Sequence, residues 1–106
     1  MSEGRALRHN EGKLRMDLIA PSTIKALAEI LTVGAQKYEE HNWRKGDNWS
    51  VPYASLMRHL MAFWGGENND PESGKPHVLH ILTNAAFLVE YYENYPELDN
   101  RYTIKE

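Results

Sequence analysis

Between His59 and His80 this 106-residue chain gathers three histidines and three carboxylates: His59, Glu67, Asp70, Glu72, His77 and His80. Glu67 and Asp70 form an E-x-x-D pair just after Gly66. On a helical turn both carboxylates point to one side, where they can hold one or two hard cations. Mg²⁺ and Mn²⁺ take oxygen ligands, and Mn²⁺ also accepts imidazole. His77 and His80, spaced i, i+3, share a polar stripe with Asn84 at i+7. An ion held here would neutralise phosphates and acidify a water. The plain alternative is a polar surface loop followed by partly exposed helix-end histidines. His59 follows Arg58, whose guanidinium either meets a phosphate as a fork or bridges to Glu67 or Asp70.

A second cluster runs from Lys37 to Gly46. Asn42 and Trp43, bracketed by cations, suit a nucleotide: the indole stacks on a base, the amide reads its edge, and Lys or Arg meets phosphate. Trp43 reads equally well as a pin into the core, and Trp49 reads as one. Glu40 can reach a metal from the end of the preceding helix, whereas Glu39 reads as a solvated helix-end charge. The run Arg5, Arg8, His9, Lys13, Arg15 reads as a solvated or substrate-closing arm.

The elements that must position these groups are helical. Residues 1–16 form an irregular polar arm, 17–96 a single helical domain, and 97–106 a polar tail, exposed or crossing between subunits. Pro21-Ser22 opens a first helix, with Ser22 as its cap. Ile24, Leu27, Leu31, Ala35 and Tyr38 form its apolar face. Residues 39–50 read as a loop. A second helix spans about 51–64, with Pro52 tolerated in its first turn, a stripe of Leu56, Leu60 and Phe63, and Met57, Met61 and Trp64 beside it. Residues 67–75 connect it to a third helix from Pro76 to about Asn94. The apolar face of that helix is Val78, Ile81, Leu82, Ala85, Leu88, Val89 and Tyr92. No segment alternates with period two, so the fold class is all-α: a compact bundle of three main helices, completed by oligomerisation because so short a chain has a modest core.

Composition narrows the classes. The net charge is −3 with no basic stripe, which argues against duplex nucleic acid as a partner. With no cysteine, disulfides and thiolate chemistry are excluded. No signal core or membrane-spanning run is visible, so a soluble cytoplasmic protein is expected.

Taken together, Lys13-x-Arg15-x-Asp17-Leu18-Ile19-x-Pro21, Gly34-Ala35-Gln36-Lys37-Tyr38, Asn42-Trp43-Arg44-Lys45-Gly46, Arg58-His59-Leu60 and Gly66-Glu67-x-x-Asp70-Pro71-Glu72-Ser73-Gly74-x-Pro76-His77-x-x-His80 resemble the phage-type dATP/dGTP diphosphohydrolase family, over roughly residues 12 to 92. That family is similar to the MazG-like all-α nucleoside triphosphate pyrophosphatases. The resemblance implies a Mg²⁺- or Mn²⁺-dependent homodimer or homotetramer that cuts a purine dNTP between the α and β phosphates, giving dNMP and pyrophosphate. Some phage members are implied in supplying dGMP and removing dATP where 2-aminoadenine replaces adenine. The resemblance further implies metal ligands among Glu67, Asp70, His80, His59 and Glu40, and a carboxylate or His77 as proton acceptor. Phosphate charge would be met by Lys37, Arg58 and Lys75, and the base by Asn42 and Trp43. MazG-like enzymes carry E-E-x-x-E and then E-x-x-D on successive helices. Here Trp43 stands at the third acidic position, and the apolar helix begins with His77-x-x-His80. Two alignments therefore compete: Glu67 and Asp70 are the E-x-x-D pair, or His77 and His80 stand in its place. Other classes remain: an HD-type nucleotide phosphohydrolase, against which the lack of a His-Asp doublet argues, and a non-enzymatic helical oligomerisation or adaptor protein.

Overall fold

A computed structural model describes residues 4–104, so the outermost parts of the expected arm and tail lie outside the described residues. Three helices carry the fold: α1 (Pro21–Lys37), α2 (Ser50–Trp64) and α3 (His77–Asn94). Short 3₁₀ turns at Met16–Leu18, Asn42–Lys45 and Pro96–Leu98 join or flank them. Among the described residues there is no strand, only an isolated bridge between Asn69 and Pro76. No helix there is long and apolar enough to cross a membrane.

Pro21 occupies the first position of α1, where its missing N–H costs nothing. The cap differs from expectation. Ala20, in extended conformation, holds the capping position, and its carbonyl accepts the Thr23 N–H at 3.0 Å. Ser22 is already inside the first turn and makes no capping bond, because a capping side chain must come from the residue before the helix.

After α1 the chain turns through Asn42–Lys45, closing on Gly46 at φ 89. A Cβ on Gly46 would lie 2.9 Å from ring carbons of Tyr95, so both the backbone and the neighbour demand glycine. Two tyrosines late in α3 and just beyond it hold this turn. Tyr91 donates its hydroxyl to the Trp43 carbonyl and Tyr95 to the Arg44 carbonyl, each at 2.7 Å. Gly46→Ala should therefore cost about 2 kcal/mol and lower the thermal midpoint by roughly 10 °C. A circular-dichroism melt checks this, and an unchanged midpoint would refute the clamp.

α3 packs against both other helices. The apolar face expected of it is only partly covered: Ile81, Leu82, Ala85 and Leu88 are half-buried, and the fully buried positions lie elsewhere. His77, Thr83, Asn84 and Tyr91 are buried, while Val78, Val89 and Tyr92 are 44%, 58% and 70% exposed. The polar stripe can turn inward because its polar atoms find partners. Thr83 Oγ1 donates to the Leu79 carbonyl at 2.8 Å and Asn84 Nδ2 to the His80 carbonyl at 2.9 Å. Ile24 of α1 and Tyr38 just beyond its end likewise face solvent, and on α2 so do Met61 and Trp64. Trp49 is buried as expected: its indole N–H reaches the Tyr95 carbonyl at 3.0 Å. The chain after α3 returns to this corner. The Leu98 carbonyl accepts the Trp49 backbone N–H, and Asn100 bonds both the backbone and the hydroxyl of Ser50. Part of the tail expected to be exposed or to cross between subunits is thus tied to the start of α2.

Candidate functional site

α2 and α3 are joined by a tightly closed loop. Gly65-Gly66 ends α2: the Gly65 N–H bonds the Met61 carbonyl at 2.9 Å, and Gly66 adopts φ 105, open to glycine at no cost. The chain then folds back on itself. The Asp70 N–H bonds the Lys75 carbonyl at 2.8 Å, the Gly74 N–H the Asp70 carbonyl at 2.7 Å, and the His77 N–H the Asn68 carbonyl at 2.9 Å. This closure sets the carboxylate of Asp70 over the first turn of α3.

Four side chains meet there. His59, from α2, approaches His77 Nδ1 to Nδ1 at 2.9 Å. His59 also stacks on His80 with ring centroids 4.3 Å apart and planes 5° from parallel. His80 Nε2 lies 2.7 Å from Ser73 Oγ and 3.8 Å from an Asp70 oxygen. One ligand atom each from His59, Asp70 and His77 falls within 4.8 Å of the others, a group able to hold a metal ion. His77 is the most enclosed of them, 3% exposed, and its Nε2 lies 2.6 Å from Glu67 Oε1.

The electrostatics follow from burial. Removal from water, then the neighbouring His80, holds His59 below its ordinary pKa, and burial does the same to His80 against the opposing pull of Asp70. Burial would raise Asp70. The Ser73 side chain and the backbone N–H groups of Ser73 and Glu72 outweigh it and hold the carboxyl below its usual range. Burial thus favours the neutral form of His59 and His80 beside a carboxyl held toward its ionised form in Asp70, the forms in which such groups bind a metal.

An open groove of about 1640 Å³ runs from this cluster between α1 and α2. Lys37, Glu40, Asn42, Trp43 and Arg58 line it together with His59, Asp70, His77 and His80. Nine of the eleven residues expected at the site therefore share one space. The other two, Glu67 and Lys75, are turned to other partners: Glu67 to His77, and Lys75 to Glu29 of α1 at 2.8 Å. Trp43 stacks on Phe87 at 4.8 Å, which both pins it and presents it as a wall of the groove. Lys37 lies 3.5 Å from Glu72 at the exposed rim. Glu39 pairs with Lys45, in keeping with a solvated helix-end charge.

Ser73, Phe87 and Glu29 were not singled out in the sequence. Ser73 carried a signal: a serine three residues after an aspartate in a turn-rich stretch can return its N–H to that carboxylate, as it does at 3.1 Å. Phe87 extends the His77–His80–Asn84 stripe by three positions, a second available signal. Glu29 carried none.

The sequence profile of a family described as dATP/dGTP diphosphohydrolase, N-terminal, matches residues 3–101. A dATP/dGTP diphosphohydrolase of Salmonella phage PMBT28 is 27% identical over 95 residues, which make up 90% of this chain and 32% of that protein. The chain thus spans about a third of the length of this curated relative. No solved structure matches it.

Proposed function

The chain belongs to the dATP/dGTP diphosphohydrolase N-terminal family, and from that premise we propose that it hydrolyses a purine deoxynucleoside triphosphate at the α–β phosphoanhydride, releasing dNMP and pyrophosphate. The observation that carries this reading is the groove that brings a His-Asp cluster together with the cations Lys37, Arg44 and Arg58 and a tryptophan wall. The relative's printed name supplies the substrate class.

Asp70, His59 and His77 are the residues that would hold a divalent ion such as Mg²⁺ or Mn²⁺, with His80 and Glu40 within the same groove. Such an ion supplies charge neutralisation on the triphosphate and acidifies a water for attack on the α-phosphorus. The chain's own groups do the rest. Arg58 and Lys37 at the groove meet the phosphates, Arg58 able to do so with two parallel N–H bonds. Trp43, braced by Phe87, offers a flat face to the base, and Asn42 can read its edge. His77, expected alongside a carboxylate as a proton acceptor, has both ring nitrogens engaged, by His59 and Glu67. His80 suits that role by its contacts: Ser73 and Asp70 both approach its Nε2, and burial favours the neutral ring that can accept a proton. Homo-oligomerisation belongs to the same reading: exposed Met61, Trp64, Val89 and Tyr92 are apolar area that a second copy can cover.

The test is product analysis. Incubation with dGTP or dATP and Mg²⁺ or Mn²⁺ should give the monophosphate and pyrophosphate by chromatography. Deoxynucleoside plus tripolyphosphate would move the cut to the ester bond, as in the HD-type alternative. No turnover of any purine dNTP would leave a non-enzymatic helical protein instead.

A further inference from the structure

We propose that His59 Nδ1, His77 Nδ1 and one Asp70 oxygen form a mixed imidazole–carboxylate centre that takes a 3d transition ion (Mn²⁺, Co²⁺ or Zn²⁺) in preference to Mg²⁺, with Glu67 orienting His77 from behind. The proposal deepens the reading above and rests on it only in putting the ion beside a substrate groove.

Glu67 fixes the tautomer of His77. An ionised carboxylate only accepts hydrogen bonds. At 2.6 Å from Glu67 Oε1, His77 Nε2 must therefore carry the ring proton. In the neutral ring this leaves a lone pair on Nδ1, and that atom faces His59 Nδ1 at 2.9 Å. Two imidazole nitrogens so close repel unless a proton or a cation lies between them. Two nitrogens bound to one ion at about 2.1 Å stand roughly 3.0–3.4 Å apart over octahedral to tetrahedral angles, so little movement separates the observed contact from a ligated one. Asp70 supplies the anionic third donor.

The arrangement has the parts of a built site. The imidazole is held by a carboxylate on its far nitrogen, the partner that metal-bound histidines use to fix tautomer and ring orientation. His77 is 3% exposed and its backbone N–H is tied to the Asn68 carbonyl, so its position is set by the loop closure. His59 is braced by the stacked ring of His80. Two nitrogen donors and one oxygen decide the choice of ion. Mg²⁺ demands near-ideal octahedral oxygen coordination and gives up water reluctantly. Imidazole favours the 3d ions, with affinity rising toward the later ones.

The experiment titrates chelator-stripped full chain with Co²⁺, read by its visible d–d absorption, and with Mg²⁺ and Mn²⁺ by calorimetry. Nitrogen-ligated Co²⁺ bands should appear on binding, and Mn²⁺ should bind at least about tenfold tighter than Mg²⁺. His59→Ala and His77→Ala should lose the bands. Glu67→Gln should keep them while weakening affinity by about 10- to 100-fold. Wild-type protein provides a check that needs no variant to fold: substoichiometric Mn²⁺ should broaden the His59 and His77 ring resonances. Broadening confined to exposed His9 and His41, equal affinity for Mg²⁺ and Mn²⁺, or unchanged bands in His59→Ala would each overturn the centre. Bands without dNTP turnover would uphold the centre and refute the reaction. Turnover with Mg²⁺ that survives His59→Ala would uphold the reaction and refute the centre.

Discussion

Asp70→Asn should lower pyrophosphate release from dGTP by about 10³-fold, a loss of about 4 kcal/mol of transition-state stabilisation, with the thermal melt close to wild type. Asp70 is the one anionic member of the three-residue donor group, so the substitution removes the charge that would balance a divalent ion held there. Its place in the loop does not depend on that charge. Backbone bonds to Lys75 and Gly74 hold the residue, and an asparagine oxygen can still accept the Ser73 N–H now bound at 3.1 Å. Steady-state pyrophosphate release and a circular-dichroism melt together check the result. Undiminished turnover would remove Asp70 from the chemistry.

Trp49→Ala should show the opposite profile. The indole is 8% exposed, it stacks obliquely on Tyr92 at 6.0 Å, and its N–H occupies the Tyr95 carbonyl. Truncation to alanine should cost about 3–5 kcal/mol, which in a chain of this length lowers the midpoint by roughly 15 °C or more. The residue does not line the groove, so turnover per folded molecule at low temperature should persist. Urea unfolding followed by far-ultraviolet ellipticity measures the first quantity. A midpoint within a few degrees of wild type would show that the returning chain at Leu98 and Asn100, not the indole, holds this corner.

Helix positions were legible because their signals are local. Pro21, Gly65-Gly66, Pro76 and Pro96 punctuate the chain, and periodic apolar residues fill the intervals. Faces were less legible. Periodicity marks the apolar side of α3, but which residues are most deeply covered depends on what packs against them, and here His77, Thr83, Asn84 and Tyr91 are covered more deeply than the half-buried Ile81, Leu82, Ala85 and Leu88. Thr83 and Asn84 allow this by bonding carbonyls of their own helix. The candidate site was legible as a set: in one alignment Glu67 and Asp70 are the E-x-x-D pair, in the other His77 and His80 stand in its place with carboxylates from the preceding loop, and the folded-back loop brings both pairs to one junction. Division of labour within the set was not legible, since it depends on contacts such as Glu67 to His77. Lys75 shows the limit: its partner Glu29 is 46 positions away with no motif linking them. The pairing of His59 with His77 was within reach, because both stand nine positions from Asn68 in a helical hairpin.

That hairpin has a kinetic consequence. Every member of the cluster lies on α2, the loop or the first turn of α3, and α1 contributes a wall rather than a ligand. His59 and His77 are 18 positions apart. Bringing them together closes a short segment, and closure entropy rises only with the logarithm of length. Local contacts of this kind form fast. The cluster can therefore assemble as the hairpin collapses, before α1 docks against it. An ion that binds only the collapsed hairpin would draw the chain toward its folded state by mass action, which would make the centre a part of the folding pathway as well as of the finished site.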